Sequence, residues 1–229
     1  MNGIQVMHNG IKVAVDSYYG EGGTRMLKAN KGCHEPQEEV VFDDVIRSLP
    51  NGATMIELGA YWSFYSIWFC KVIPNAKTFL VEPEANNLAV GQRNFELNGN
   101  HGNFTQAYIG ELNSTESSGS RTITLESFFA EKELDHAHVV HADIQGYELM
   151  MLEGAKRLLE ERRIDYLFIS THSMDLHQQC KDALAEHGYL IATSIDLKET
   201  FSYDGILLAH SPLVTPPALI HPSSKSYSH

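Results

Sequence analysis

Glu57 and Glu82 each stand where a short apolar run ends, in the stretches "MIELGAYWSFYSIW" and "FLVEPEANN". A carboxylate at the end of a buried strand, with a turn after it, is placed to hold a ligand at the edge of an open α/β sheet. Glu82 can accept hydrogen bonds from both hydroxyls of a ribose, as acidic residues do in nucleotide-binding α/β folds. The turn after Glu57 carries a single glycine, Gly59, whose missing Cβ would let a ligand approach the backbone. A dinucleotide calls for several glycines, so that its pyrophosphate can rest on a helix N-terminus. One glycine beside an upstream carboxylate suits a cofactor with a cationic amino-acid end, because Glu57 can pair with an ammonium and repels phosphate. S-adenosylmethionine meets both requirements, whereas a nicotinamide dinucleotide meets only the ribose one.

The pattern along the chain supplies the frame for these residues. Ile4, Val6, Ile11, Val13 and Val15 flank Asn9-Gly10, a dipeptide that tolerates the positive φ angles of a tight turn, and predict an N-terminal hairpin. The three glycines of "YYGEGGTR" predict a mobile loop over residues 18–25. In "PQEEVVFDDVIRSLPNG" the residues Val41, Val45, Ile46 and Leu49 share one helical face, which Pro50-Asn51-Gly52 ends. Strands at 54–58, 78–81, 104–109, 138–142 and 166–170 then alternate with helices at 64–72, 87–97, 125–134, 147–162 and 174–187, and strands at 189–194 and 205–209 finish the pattern. A polar connection over residues 110–120 is expected to be exposed. Such alternation predicts a mostly parallel sheet with helices on both faces. The expected organisation is a hairpin and glycine-rich loop over 1–34, an α/β domain over 35–210, and a Pro/Ser-rich tail over 211–229 that forms no packed element.

Three segments in this order resemble the FkbM-type family of S-adenosylmethionine-dependent methyltransferases. "MIELGAYWSFYSIWF" is similar to the family's acid-x-Gly-Ala-Asn-x-Gly turn, "VEPEANNLAVGQRNFELNG" to its ribose segment, and "HADIQGYELMMLEGA" to its Asp-Val-Glu-Gly-Tyr-Glu segment. Tyr61, Ser63 and Gln145 depart from that pattern, standing where the family has Asn, Gly and Glu. The resemblance runs from Glu35 to Ala209 and implies a Rossmann-like class I methyltransferase fold with a seven-stranded sheet. It also implies methyl transfer, usually to an oxygen of a sugar, polyketide or other small metabolite. The cofactor site it implies is formed by Glu35, Glu57, Gly59, Ala60, Tyr61, Ser63, Glu82, Pro83 and Asp143. Methyl transfer to oxygen is an in-line displacement on a sulfonium, so the acceptor must be aligned and its proton removed. Asp143, at the end of "VVHAD", and His172, at the end of "LFISTH", close two strands whose carboxyl ends face one crevice, and they are the candidate catalytic residues. Side chains alone are expected to suffice; the alternative is a divalent metal held by Asp143, Glu148 and His172.

Composition narrows the partners. A chain of 229 residues can bury a single α/β core without help. The net charge of −12 disfavours binding to a phosphate backbone, which relies on clustered Lys and Arg. Three scattered cysteines, Cys33, Cys70 and Cys180, read as reduced thiols. No apolar run approaches the ~18 residues of a membrane span, and no early stretch has the order of a signal peptide. The expectation is a soluble cytoplasmic protein with a small-molecule acceptor, no nucleic-acid or membrane partner, and an oligomeric state left open, a homodimer included. Two rival readings are a non-catalytic adenosine-binding protein, suggested by Tyr61 and Ser63, and an NAD-linked Rossmann oxidoreductase.

Overall fold

At the N-terminus, β1 (Ile4–Val6) and β2 (Lys12–Ala14) pair antiparallel as the sequence predicts. The computed structural model describes residues 3–117, 119–219 and 222–223. The segment expected as a glycine-rich loop instead forms helix α1 (Gly20–Ala29). Gly23 supplies the reason: a Cβ there would lie 1.8 Å from the Tyr18 carbonyl oxygen. Glycine lets the helix pack against Tyr18, and the burial of Leu27 outweighs the weak helix propensity of the segment.

The main alternation follows with α2 (Pro36–Arg47), β3 (Thr54–Leu58), α3 (Phe64–Val72), β4 (Lys77–Val81) and α4 (Ala85–Leu97). The strand expected at 104–109 is two, β5 (Asn103–Thr105) and β6 (Tyr108–Ile109). Within the expected polar connection, β7 (Ser114–Thr115) leads to β8 (Arg121–Ile123), and β6, β8 and β7 form a separate three-stranded sheet. Next come α5 (Leu125–Glu131), β9 (Ala137–Ala142), and two short helices, α6 (Glu148–Glu153) and α7 (Lys156–Glu160), where one was expected. They part at Gly154, where a Cβ would meet the Gly110 carbonyl oxygen at 2.4 Å. The chain closes with β10 (Ile164–Thr171), α8 (Met174–Glu186), β11 (Leu190–Ile195) and β12 (Gly205–His210).

Seven strands make the central sheet in the order β11-β12-β10-β9-β3-β4-β5. Strand β12 is antiparallel to both neighbours, and the pairs from β10 through to β5 are parallel. The pleat sends alternate side chains to opposite faces. Met55, Val139 and Phe168 pack with α2 and α3 on one face, while Ile56, Val140 and Ile169 pack with α5 to α8 on the other. Met7, Ile11, Val13 and Leu27 join the first cluster, so the hairpin and α1 share its core. Of the expected tail, Val214 and Leu219 pack against that cluster and Ser223 accepts a hydrogen bond from the Gln37 amide; residues 220, 221 and 224–229 lie outside the described residues.

The pleat also aims Glu57, His141 and Ser170 at α2 and α3. Helix α2 buries Val41, Phe42, Val45 and Ile46 completely. At roughly 1.5–3 kcal/mol for each large side chain, this apolar stripe can hold the helix down even though Glu38 and Glu39 are buried with it. The carboxylates find histidines. Glu39 lies 2.7 Å from His34 and 2.6 Å from His8, and accepts from the His34 and Glu35 amides at 2.8 and 3.1 Å. Burial alone would lower the His34 pKa, but Glu35 and Glu39 override it and push the imidazole up to about 10. The same contacts hold Glu39 well below the usual carboxylate range in spite of its burial. A second tie joins the hairpin to α4 and the turn after β3: the fully buried Asn94 of α4 accepts from the Ala14 amide at 2.9 Å and donates to the Trp62 carbonyl at 3.0 Å.

Two stability predictions follow from these ties. Asn94→Ala leaves two buried backbone groups without partners and should cost about 2–4 kcal/mol, read as a lower urea midpoint at unchanged slope. His34 has its folded pKa raised, so its stabilisation is complete below its unfolded value of ~6.5 and is lost as pH rises towards its folded value. Glu39 has its folded pKa depressed, so its contribution is lost as pH falls below ~4.5. The melting temperature should therefore decline steadily between pH 6.5 and 10, and His34→Gln should flatten that decline. An equal slope in the variant would show that His34 carries no such linkage.

Candidate active site

Strand β3 leads to β4 and β5 on one side of the sheet, and β9 leads to β10 on the other. Their carboxyl ends therefore frame the point where strand order reverses, the place for a ligand in this class of sheet. The Asp143 amide donates to the Leu58 carbonyl at 3.0 Å, and Gly59 sits at φ 74° directly against Asp143. A Cβ on Gly59 would stand 1.8 Å from the Asp143 carbonyl oxygen. The missing side chain thus makes room for the neighbouring strand end, where the sequence suggested room for a ligand.

After Gly59 the turn is held from β4. The Gly59 and Ala60 amides donate to the Val81 carbonyl at 2.9 and 3.0 Å, and the Tyr61 amide donates to Glu82 at 3.0 Å. Glu82 also accepts from the Glu84 amide at 3.0 Å and the Asn87 side chain at 3.3 Å. Tyr61 and Ser63 both adopt left-handed backbone angles, with φ 37° and 64°. These are conformations that Asn and Gly reach with less strain, and they are the two turn positions at which this chain departs from the resembled pattern. The Tyr61 hydroxyl accepts from the Tyr19 amide at 2.9 Å and so fastens the turn to the start of α1. Behind the turn, α4 comes close at Gly91, where a Cβ would lie 2.3 Å from the Ser63 hydroxyl.

Two adjoining cavities open from this turn, sharing Tyr19, Gly59, Tyr61, Asp143 and Gln145 as walls. The larger, of about 900 Å³, is lined by Glu82, Pro83 and Asn87, with Tyr108 and Leu112 from the small sheet region beyond. The smaller, of about 350 Å³, contains Glu35, Glu57, Ala60 and Asp143 beneath the aromatic rings of Tyr18, Tyr65 and Tyr203. The structure thus brings together every predicted cofactor residue except Ser63, which lies buried under the turn at the head of α3. Neither lining includes a lysine or an arginine.

The carboxylates of the smaller cavity differ in their surroundings. Glu57 accepts from the Ser66 amide at 3.1 Å, in the first turn of α3, and burial pushes it up to about 7 against the pull of His141. Glu35 accepts from the Tyr65 hydroxyl at 2.8 Å and lies 3.0 Å from His34, which keeps it below its ordinary value despite burial. Asp143 faces the cavity, whereas His172 lines neither cavity and stands behind it. His172 Nε2 is 3.2 Å from Asp143 and 3.5 Å from Asp204, and its Nδ1 is 3.1 Å from Glu148. Burial would lower its pKa, but Asp143 and Glu148 push it up to about 10. Asp204 is pushed up to about 6 by burial, against the pull of His172.

Several of these residues escaped the sequence reading. Glu38 lies 2.9 Å from His141, which itself lines the smaller cavity. Glu35, Glu38 and Glu39 are spaced to continue the apolar stripe of Val41, Phe42 and Val45, a readable sign that these carboxylates face inward. Asp204 precedes β12, and because that strand runs backwards its beginning meets the carboxyl ends of the others.

Comparison with known proteins agrees with this architecture. No curated protein matches the chain. A precorrin-6y C5,15-methyltransferase from Geobacter metallireducens is 15% identical, with a TM-score of 0.52 over 75% of this chain and 86% of that one. A Streptococcus pneumoniae protein described as a tRNA (m1A22) methyltransferase, solved with S-adenosyl-L-methionine, is 13% identical, with a TM-score of 0.53 over 81% and 77% of the two chains. A ribosomal protein L11 methylase from Lactobacillus delbrueckii subsp. bulgaricus is 12% identical, with a TM-score of 0.52 over 76% and 77%. At these identities the likeness is one of fold, Rossmann-like with a mostly parallel seven-stranded sheet. The methyltransferase FkbM domain model matches residues 61–191, more than half of the 229 residues. Sequence family, sheet order and crevice converge, and the chain belongs to the methyltransferase FkbM domain family.

Proposed function

We propose that this methyltransferase uses S-adenosylmethionine to methylate a hydroxyl of an uncharged small molecule, of the sugar or polyketide kind. The observation that carries the reading is the pair of adjoining cavities. The larger has the size and the Glu82 carboxylate for an adenosine, and the smaller has carboxylates and aromatic rings around the shared Asp143. The methionine end of the cofactor crosses from one to the other past Gly59 and Asp143, with its ammonium toward Glu57. The absence of lysine and arginine from both linings, and the net charge of −12, favour a neutral acceptor over RNA or a phosphorylated metabolite. The acceptor oxygen attacks the methyl carbon and a C–O bond forms. The C–S electrons return to sulfur to give S-adenosylhomocysteine, and the hydroxyl proton passes to Asp143. His172 acts behind Asp143, fixing its orientation.

Screening neutral hydroxylated metabolites, bulk tRNA and cell protein with methyl-labelled cofactor tests the acceptor class. Label is expected in the first group; label confined to RNA or protein would overturn the reading. Glu82→Ala removes the acceptor for the ribose hydroxyls and should weaken S-adenosylhomocysteine binding by about 1.5–3 kcal/mol in titration calorimetry. Unchanged affinity in a folded variant would take Glu82 out of the site. With an acceptor in hand, Asp143→Asn should slow single-turnover transfer by about 10²–10⁴-fold while cofactor-product affinity stays near that of the parent.

A further inference from the structure

Three side chains converge on one ring nitrogen at the end of β10. His172 Nε2 lies 3.2 Å from Asp143 Oδ1, 3.5 Å from Asp204 Oδ1 and 2.9 Å from the Gln145 side-chain amide. The Gln145 amide nitrogen also donates to Asp143 Oδ1 at 3.0 Å; a rotation of the amide would present its oxygen there instead. A proton on Nε2 has one direction and serves one of these acceptors well. A cation in their midst serves them all. In an octahedral shell with bonds of ~2.1 Å, neighbouring ligand atoms stand ~3.0 Å apart, which is the scale of the three separations from Nε2.

The other side of the ring is built as a metal-binding histidine requires. Nδ1 lies 3.1 Å from Glu148 Oε1 and has no hydrogen-bond partner among the described residues; a proton carried on Nδ1 would leave the lone pair on Nε2. Glu148 is wholly buried, and its Oε1 is fixed by the Ile144 and Gly146 amides at 3.1 and 3.2 Å. Its Oε2 has no hydrogen-bond partner among the described residues. Donor atoms of Asp143, Glu148 and His172 all lie within 4.8 Å of one another. A second such cluster, His136, His138 and Asp165, fails on chemistry: the His138 Nδ1 lone pair accepts from the Thr54 amide, which leaves its other nitrogen protonated.

The geometry points to a divalent-cation site of the magnesium or manganese class, with Asp143, His172 and Asp204 as ligands, Gln145 as an amide-oxygen ligand and Glu148 as the carboxylate that orients the histidine. Oxygen donors with one imidazole and no thiolate suit those ions over zinc or copper. Two carboxylates balance the charge of the ion. Asp143, Gln145 and Asp204 also line the smaller cavity, so an acceptor hydroxyl on the cation would have its pKa lowered before giving its proton to the free oxygen of Asp143. That chemical role rests on the methyl-transfer reading; ion binding rests on the side chains alone.

Electron paramagnetic resonance of manganese titrated into chelator-stripped full-length protein tests the site. One ion per chain is expected, competed by magnesium, with affinity lowered at least ~10-fold in Asp204→Asn and about 10–100-fold in Glu148→Gln, which spares the ligands themselves. Calorimetry with S-adenosylhomocysteine on the same samples reports folding and the cofactor site separately. Cofactor-product binding with no manganese bound at millimolar concentration overturns the metal site and leaves the methyltransferase reading intact. Manganese binding unaffected by either substitution likewise overturns it. Manganese bound as expected without cofactor-product binding upholds the metal site and counts against the cofactor assignment.

Discussion

Strands β3 and β9 end so close together that the Asp143 carbonyl oxygen occupies the space where a side chain at residue 59 would begin. Much of the crevice depends on that approach. It sets Asp143 beside the turn that Glu82 holds by the Tyr61 amide, so the Glu82 and Asp143 carboxylates are fixed to one short segment of backbone. With glycine at 59 the two strand ends can share hydrogen bonds and still leave the turn free to reach β4. A larger residue would have to displace backbone rather than a flexible side chain, and the displacement would reach both cavities at once.

Around this fixed point the protein gathers carboxylates and counters them with histidines. Glu35, Glu38, Glu39 and Glu57 are all buried, and the basic side chains beside them are His8, His34 and His141. An imidazole is a softer counter-charge than a guanidinium, because it can surrender its proton. The network thus buries these carboxylates beside the smaller cavity, whose lining holds no lysine or arginine. The apolar stripe of α2 makes this possible, since it anchors the helix from which Glu38 and Glu39 project inward.

The sheet, the helices on both faces and the strand-end carboxylates were legible in the sequence because each rests on periodicity or on a local turn. What was missed rests on contacts between distant segments. Gly59 was read as room for a ligand, whereas the backbone that approaches it is that of Asp143. The glycines of "YYGEGGTR" read as a loop because propensity favours one, yet Gly23 serves tight packing against Tyr18 in α1. His141 had the strand alternation to mark it as inward-facing, but its partner Glu38 comes from a helix far away in sequence. Asp204 could be placed only once the direction of β12 was known. His172 was placed at the right strand end, but its depth behind Asp143 was beyond what periodicity can express.

The two cavities are assembled differently along the chain. The larger is drawn largely from one continuous stretch, from Gly59 to Met150, with Tyr19 at its edge. The smaller takes Tyr18, His34 and Glu35 from before that stretch and Tyr203 and Asp204 from after it. During synthesis the larger cavity can therefore form while the chain is still emerging, whereas the smaller one stays open until β12 has been made and has turned back into the sheet. The same division lets the flanking segments reshape the smaller cavity while most walls of the larger one stay in place.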